Sequence, residues 1–143
     1  MNERQYDKVG DVITLRKTVS DADIALFGLI SRDDAFVPED PTPPLREERR
    51  IAPYPLLASL LATAAASHPV SDPEHKGFLR EHIEFSAPLY TNDTLHMTVE
   101  VTAHDEAGRT VSISVDCRNQ DQQHVAHGDF TLEVTPEARN VRT

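Results

Sequence analysis

Leu56-Leu57-Ala58-Ser59-Leu60-Leu61-Ala62-Thr63-Ala64-Ala65-Ala66-Ser67 is the most apolar stretch of the chain, with leucine pairs at 56/57 and 60/61 followed by the alanine pair 64/65. A helix that is apolar nearly all round must be enclosed on most sides rather than lie on a surface. His68-Pro69 ends it, because the proline ring disfavours helical geometry at the residue before it.

What encloses this helix is read from the sequence downstream. A segment at residues 78–89 leads through Thr91-Asn92-Asp93 into Leu95, Met97, Val99 and Val101, which alternate with Thr98, Glu100 and Thr102. Ala107-Gly108 turns the chain into Val111, Ile113, Val115 and Cys117, and residues 125–134 close the set. Period-two alternation broken by short turn signals predicts an antiparallel meander with one buried face. Upstream, residues 11–18 read as a first strand. Ser20 then caps a helix with Asp23 in its positive first turn, and Ile24, Phe27 and Ile30 give that helix one buried face. Residues 38–55 hold six of the ten prolines and the cluster Arg46-Glu47-Glu48-Arg49-Arg50, which predicts an exposed excursion or lid. The fold class is α+β: a curled antiparallel sheet wrapped around one central apolar helix.

The 143 residues suit one domain, 1–143, with its core at about 9–134 and a short flexible tail at 135–143. Acidic side chains number 24 against 14 basic, and the formal charge of -10 disfavours nucleic acid and anionic membranes as partners. A single cysteine excludes an intrachain disulfide framework and fits a reducing compartment. The first residues lack an apolar signal core, and no stretch approaches the roughly 20 apolar residues of a bilayer span. The expectation is a soluble cytoplasmic protein that does not engage membranes.

Three motifs carry a resemblance. Ser31-Arg32-Asp33-Asp34-Ala35-Phe36-Val37-Pro38-Glu39-Asp40 follows the first helix, Ile51-Ala52-Pro53-Tyr54-Pro55-Leu56 opens the apolar helix, and Phe85-Ser86-Ala87-Pro88-Leu89-Tyr90-Thr91-Asn92-Asp93-Thr94-Leu95 precedes a strand. Together they resemble the MaoC-like hydratases and dehydratases of the hot-dog fold. In that family the loop reads Ser-Gly-Asp-x-Asn-Pro-x-His-x-Asp and the helix start reads Ile-Ala-His-Gly-Met-Leu. The family's two loop Asp residues fall on Asp33 and Asp40, its Asn on Ala35 and its catalytic His on Pro38. At the helix start the family's His falls on Pro53, its Gly on Tyr54, and a Ser sometimes found further along on Ala62. The third motif has Asn92 where Gly is usual, a mild change because Asn is the commonest non-Gly residue to accept positive φ.

The resemblance implies an enzyme that adds water to a 2-enoyl thioester or eliminates it from a 3-hydroxyacyl thioester, carried on CoA or a carrier protein. Asp33 would be the retained acid-base residue, and Asp34 a neighbour able to share acid and base roles. The backbone amide of Tyr54 would donate to the thioester carbonyl at the positive end of the helix. A solvated Asp has a pKa of about 3.9, so Asp33 needs burial or Asp34 beside it to act as a base near neutrality. The ordinary reading of Asp33 and Asp34 is that they turn the chain after a helix. Arg32 and Arg50, with Arg46 and Arg49, could meet the phosphates of a CoA or carrier arm, or be solvated loop charge. Pro38 and Pro53 would line the substrate site. Proline is also favoured in a first helical turn.

Other groups read as structural. His124 and His127 differ by an odd number along a strand, so regular geometry sends them to opposite faces and away from a shared metal. Ala126-His127-Gly128 lies in the last strand and imitates a helix-start motif only in letters. Cys117 shares parity with core residues, Ser59 has no base in its motif, and His82 and Glu84 face either water or a cleft. No metal and no cofactor is expected.

Three functions remain open. One is a hydratase or dehydratase with an altered dyad. A second is a non-catalytic acyl-binding subunit of a heteromeric dehydratase, suggested by Pro38 and by the likeness of Ile51-Ala52-Pro53 to the Ile-Ala-Pro-Pro-Thr start of MaoC-like accessory subunits. The third is a hot-dog protein recruited to isomerase, cyclase or thioesterase chemistry. Open sheet edges and the family's habit imply a homodimer, or a heterodimer with a related hot-dog subunit.

Overall fold

Alternation along Leu95, Met97, Val99 and Val101 puts these side chains on one face of β3 (Thr94–Asp105), where all are buried. The same parity in β4 (Thr110–Arg118) buries Val111, Ile113, Val115 and Cys117. With β1 (Val12–Thr18), β2 (Lys76–Phe85) and β5 (His124–Val134) they form a five-stranded antiparallel sheet in the order β1-β3-β4-β5-β2. The structure, a computed structural model, describes residues 8–31, 51–67, 76–105, 107 and 109–134.

Two helices complete it, α1 (Asp21–Ser31) and α2 (Tyr54–Ser67). α2 turns Leu56, Leu57, Leu61, Ala64 and Ala65 onto the apolar face of the curled sheet and touches β2, β3, β4 and β5. This is the expected α+β hot-dog arrangement. The helix seat is made close by Gly128 of β5. A Cβ there would lie 2.7 Å from Phe130 Cε2 and 3.2 Å from Leu61 Cδ2.

The meander is correct for β3, β4 and β5 but not for β2. β2 does not neighbour β3; it pairs with β5 at the far edge, from Lys76↔Val134 to Phe85↔Ala126. The expected strand at 78–89 stops at Phe85 because the amides of Ser86 and Ala87 both turn to the Val125 carbonyl and Pro88 has none to give. Residues 86–93 then run along the end of the sheet to reach β3. On the way Leu89 O accepts from Ala52 N at 2.7 Å, Tyr90 bridges to Ile51, and Asn92 N donates to Val19 O at 2.6 Å.

Both helices are less enclosed than their sequences predict. α2 is buried along its sheet side, while Pro55, Ser59, Thr63 and Ser67 form an exposed stripe. The hydroxyls of that stripe are satisfied locally: Ser59, Thr63 and Ser67 donate to the carbonyls four residues back at 2.9, 2.8 and 2.7 Å. In α1, Ile24 is buried and Phe27 packs against the core, but Ile30 is 71 % exposed. Among the described residues, that helix is anchored through Ile24 and Phe27 and not through its last turn.

Candidate functional site

The start of α2 is held on three sides. Ala52 is buried and tied to Leu89, Ile51 is bridged to Tyr90, and the Tyr54 ring meets Phe85 at a tilt of 45° with centroids 4.6 Å apart. The first helical bond runs from Leu57 N to Pro53 O at 3.1 Å. Helix geometry therefore leaves the amides of Tyr54 and Leu56 without intrahelical acceptors, and Pro55 carries no N–H. A 14-residue helix thus presents the Tyr54 amide at its positive end, beside a half-buried Pro53. Such a terminus can stabilise negative charge developing on a carbonyl oxygen.

The remaining expected site residues, Arg32, Asp33, Asp34, Pro38, Asp40, Arg46, Arg49 and Arg50, lie outside the described residues. What is described are the two segments that flank them, the end of α1 at Ser31 and the bridge at Ile51.

α1 is positioned by a reciprocal cap. Ser20 N donates to Asp23 Oδ2 at 2.9 Å, and Asp23 N donates to Ser20 Oγ at 3.2 Å. The Ser20 amide holds the Asp23 carboxyl below its usual range, helped by Lys17, whose ammonium lies 3.0 Å away. The turn before β3 is fixed in a similar way. Buried Asp93 accepts from Tyr90 N at 2.8 Å and from Gln120 Nε2 at 2.9 Å, and Asn92 adopts φ 71°. The third motif of the resemblance is here a structural clamp joining β1, β3 and the 119–123 loop.

The groups read as structural largely are so. Burial, with Asp116 next in sequence, pushes the Cys117 thiol up to about 12. Ser59 is exposed and spends its hydroxyl on Pro55 O. His82 and Glu84 face solvent and pair with each other at 2.8 Å.

The reading of His124 and His127 needs correction. Cys117 pairs with Ala126 while Arg118 pairs with His124, so Val125 is an extra residue, and Val125 and Ala126 are both fully buried. This β-bulge breaks the alternation and brings both imidazoles to the outer face, the side of the sheet away from α2. They meet Asp116 there, with Asp116 Oδ1 2.9 Å from His124 Nε2 and 3.7 Å from His127 Nδ1. The apolar doublet Val125-Ala126 inside an alternating strand was the signal available in the sequence. Asp116 as their common partner follows once the bulge is placed.

A second feature of the outer face is a groove of about 570 Å³ between β1 and β3, lined by Thr14, Arg16, His96, Thr98 and Gln122 among others. It lies on the opposite side of the sheet from α2.

No protein-family profile and no curated protein sequence matches the chain. Solved structures do. An (R)-hydratase from A. caviae involved in PHA biosynthesis superposes with a TM-score of 0.74 at 25 % identity, covering 92 % of this chain and all of that one (100 %). R-hydratase PhaJ1 from Pseudomonas aeruginosa gives 0.72 at 21 % identity, over 89 % of this chain and 81 % of the other. A hypothetical thioesterase from Streptococcus pneumoniae, in a structure with coenzyme A, gives 0.60 at 18 % identity, over 92 % and 84 %. The fold is the hot dog, and proteins of this fold that the chain is similar to include both (R)-hydratases and a hypothetical thioesterase.

Proposed function

We propose that the chain is a hydratase or dehydratase acting on enoyl or 3-hydroxyacyl thioesters of CoA or a carrier protein, with an altered acid-base pair. The observation that carries this reading is the start of α2, where the Ala52–Leu89 hydrogen bond and the Tyr54–Phe85 ring contact hold a helix end whose first amide, Tyr54 N, has no intrahelical acceptor. The overlay on the A. caviae (R)-hydratase over the whole of that chain supports it (100 % covered).

In this reading the thioester carbonyl accepts from Tyr54 N. The Asp33 carboxylate takes a proton from water as the water oxygen bonds to C3 and the π electrons move onto the carbonyl oxygen. The enolate then collapses, and C2 takes the proton that Asp33 carries, directly or relayed through Asp34. Elimination is the reverse. Arg32 and Arg50 would meet the carrier's phosphates, and Pro38 and Pro53 would line the acyl channel.

The test follows loss of the conjugated enoyl absorbance with short and medium 2-enoyl-CoA. Asp33→Asn is expected to lower kcat by roughly 10²-fold or more. Tyr54→Pro deletes the amide at a position where proline suits a helix, and should cost roughly 10²-fold relative to Tyr54→Ala. Equal rates for Tyr54→Pro and Tyr54→Ala would remove the oxyanion role.

A second reading is favoured by Pro38 and Pro53, which stand where the family has histidines. The chain would then be an acyl-binding subunit, silent alone and active only with a dyad-bearing partner. Either form fits a dimer: the edge strand β2 exposes Phe78, Leu79 and Phe85.

A further inference from the structure

The bulge at Val125 and Ala126 assembles three side chains of metal-binding type, one from β4 and two from β5. Asp116 and His127 are direct cross-strand partners, and the extra residue adds His124 to the same face. One ligand atom from each lies within 4.8 Å of the other two, and Asp116 Oδ1 is 2.9 Å from His124 Nε2 and 3.7 Å from His127 Nδ1. Bonds of about 2.0–2.2 Å to nitrogen and oxygen place tetrahedral ligands roughly 3.4 Å apart, so small side-chain rotations suffice to close the set on one ion.

The far side of each group is also engaged. His124 Nδ1 is 3.2 Å from Ser86 Oγ, His127 Nε2 is 3.4 Å from Asp129 Oδ1, and Asp116 Oδ2 accepts from Arg118 Nε at 3.1 Å. Both rings therefore have a partner on the nitrogen not turned to the shared oxygen, which is how metal-binding imidazoles are held in tautomer and orientation. His82 and Glu84, also on this face, lack such an arrangement. His82 pairs with Glu84, which sits across from His127 on the neighbouring strand, and the two side chains are 67 % and 76 % exposed.

We propose that Asp116, His124 and His127 form a binding site for a divalent transition-metal ion, Zn²⁺ by preference. Two imidazoles and a carboxylate suit zinc and its late first-row neighbours rather than Mg²⁺ or Ca²⁺. The three side chains are 33 %, 37 % and 41 % exposed, so at least one coordination position stays open to water or to a donor from another molecule. The ion would pin β4 to β5 and, through Ser86, to the chain leaving β2. The site lies across the sheet from α2, so it stands apart from the thioester reading.

The experiment titrates the full-length, tag-free chain with ZnCl₂ in a non-coordinating buffer by calorimetry, and reads melting temperature with and without Zn²⁺. One equivalent binds, melting rises, and His124→Ala, His127→Ala and Asp116→Asn each weaken binding roughly tenfold or more, while His82→Ala does not. On the wild-type protein, Zn²⁺ shifts the imidazole NMR signals of His124 and His127 together, a readout that needs no variant. Substoichiometric binding, undiminished affinity in a His124→Ala/His127→Ala double variant, or imidazole shifts confined to other histidines would overturn the site.

Discussion

Gly128 is buried where Leu61 of α2 meets Phe130, and the space for a methyl group is already occupied. Gly128→Ala should therefore cost about 1–3 kcal/mol through overpacking, read as a lower denaturation midpoint with an unchanged slope. Cys117 gives a second prediction at this scale. A thiol that is fully buried and pushed up to about 12 should ignore a thiol reagent at neutral pH and react only as the protein unfolds. Single residues were unevenly legible. Asn92 was read correctly as tolerant of positive φ, because that preference belongs to the residue itself. The opposed faces of His124 and His127 were misread, because parity holds only while a strand has no extra residue.

Among the elements, α1 offers the sharpest test. Ser20→Ala should cost about 1 kcal/mol by leaving the Asp23 amide uncapped. Asp23 is held below its usual pKa, so its ionised form favours the folded state. Its contribution is present above the unfolded-state value near 3.8 and is lost as pH falls through the lower folded value. Asp23→Asn should therefore be less stable than wild type at neutral pH, with the gap closing in acid. Melting curves across that range check this. The strands and both helices were legible because their apolar periods are unambiguous. The place of β2 was not, because pairing β5 instead of β3 depends on how residues 86–93 cross the sheet end, and alternation carries no record of a partner. The burial of α2 was overstated because its Ser and Thr hydroxyls, read as part of an apolar run, satisfy themselves on their own helix.

For the whole molecule, the hot-dog fold followed from one apolar helix plus alternating strands, and the overlay on known structures bears this out. Less of the candidate site was legible. The sequence pointed to the start of α2, and the structure supplies the clamp that holds Tyr54 there. Asp33, which the motif register singled out, and its neighbour Asp34 fall outside the described residues. Among the described residues no helix is long and apolar enough to cross a membrane. Among the described residues β1 and β2 are the two edge strands of the sheet, and the formal net charge is -10. The most direct test is the rate at which the purified chain, alone, hydrates short and medium 2-enoyl-CoA, measured beside Asp33→Asn. The account predicts steady loss of the enoyl absorbance that the substitution abolishes; hydration that survives Asp33→Asn unchanged, or none across the panel, would contradict it.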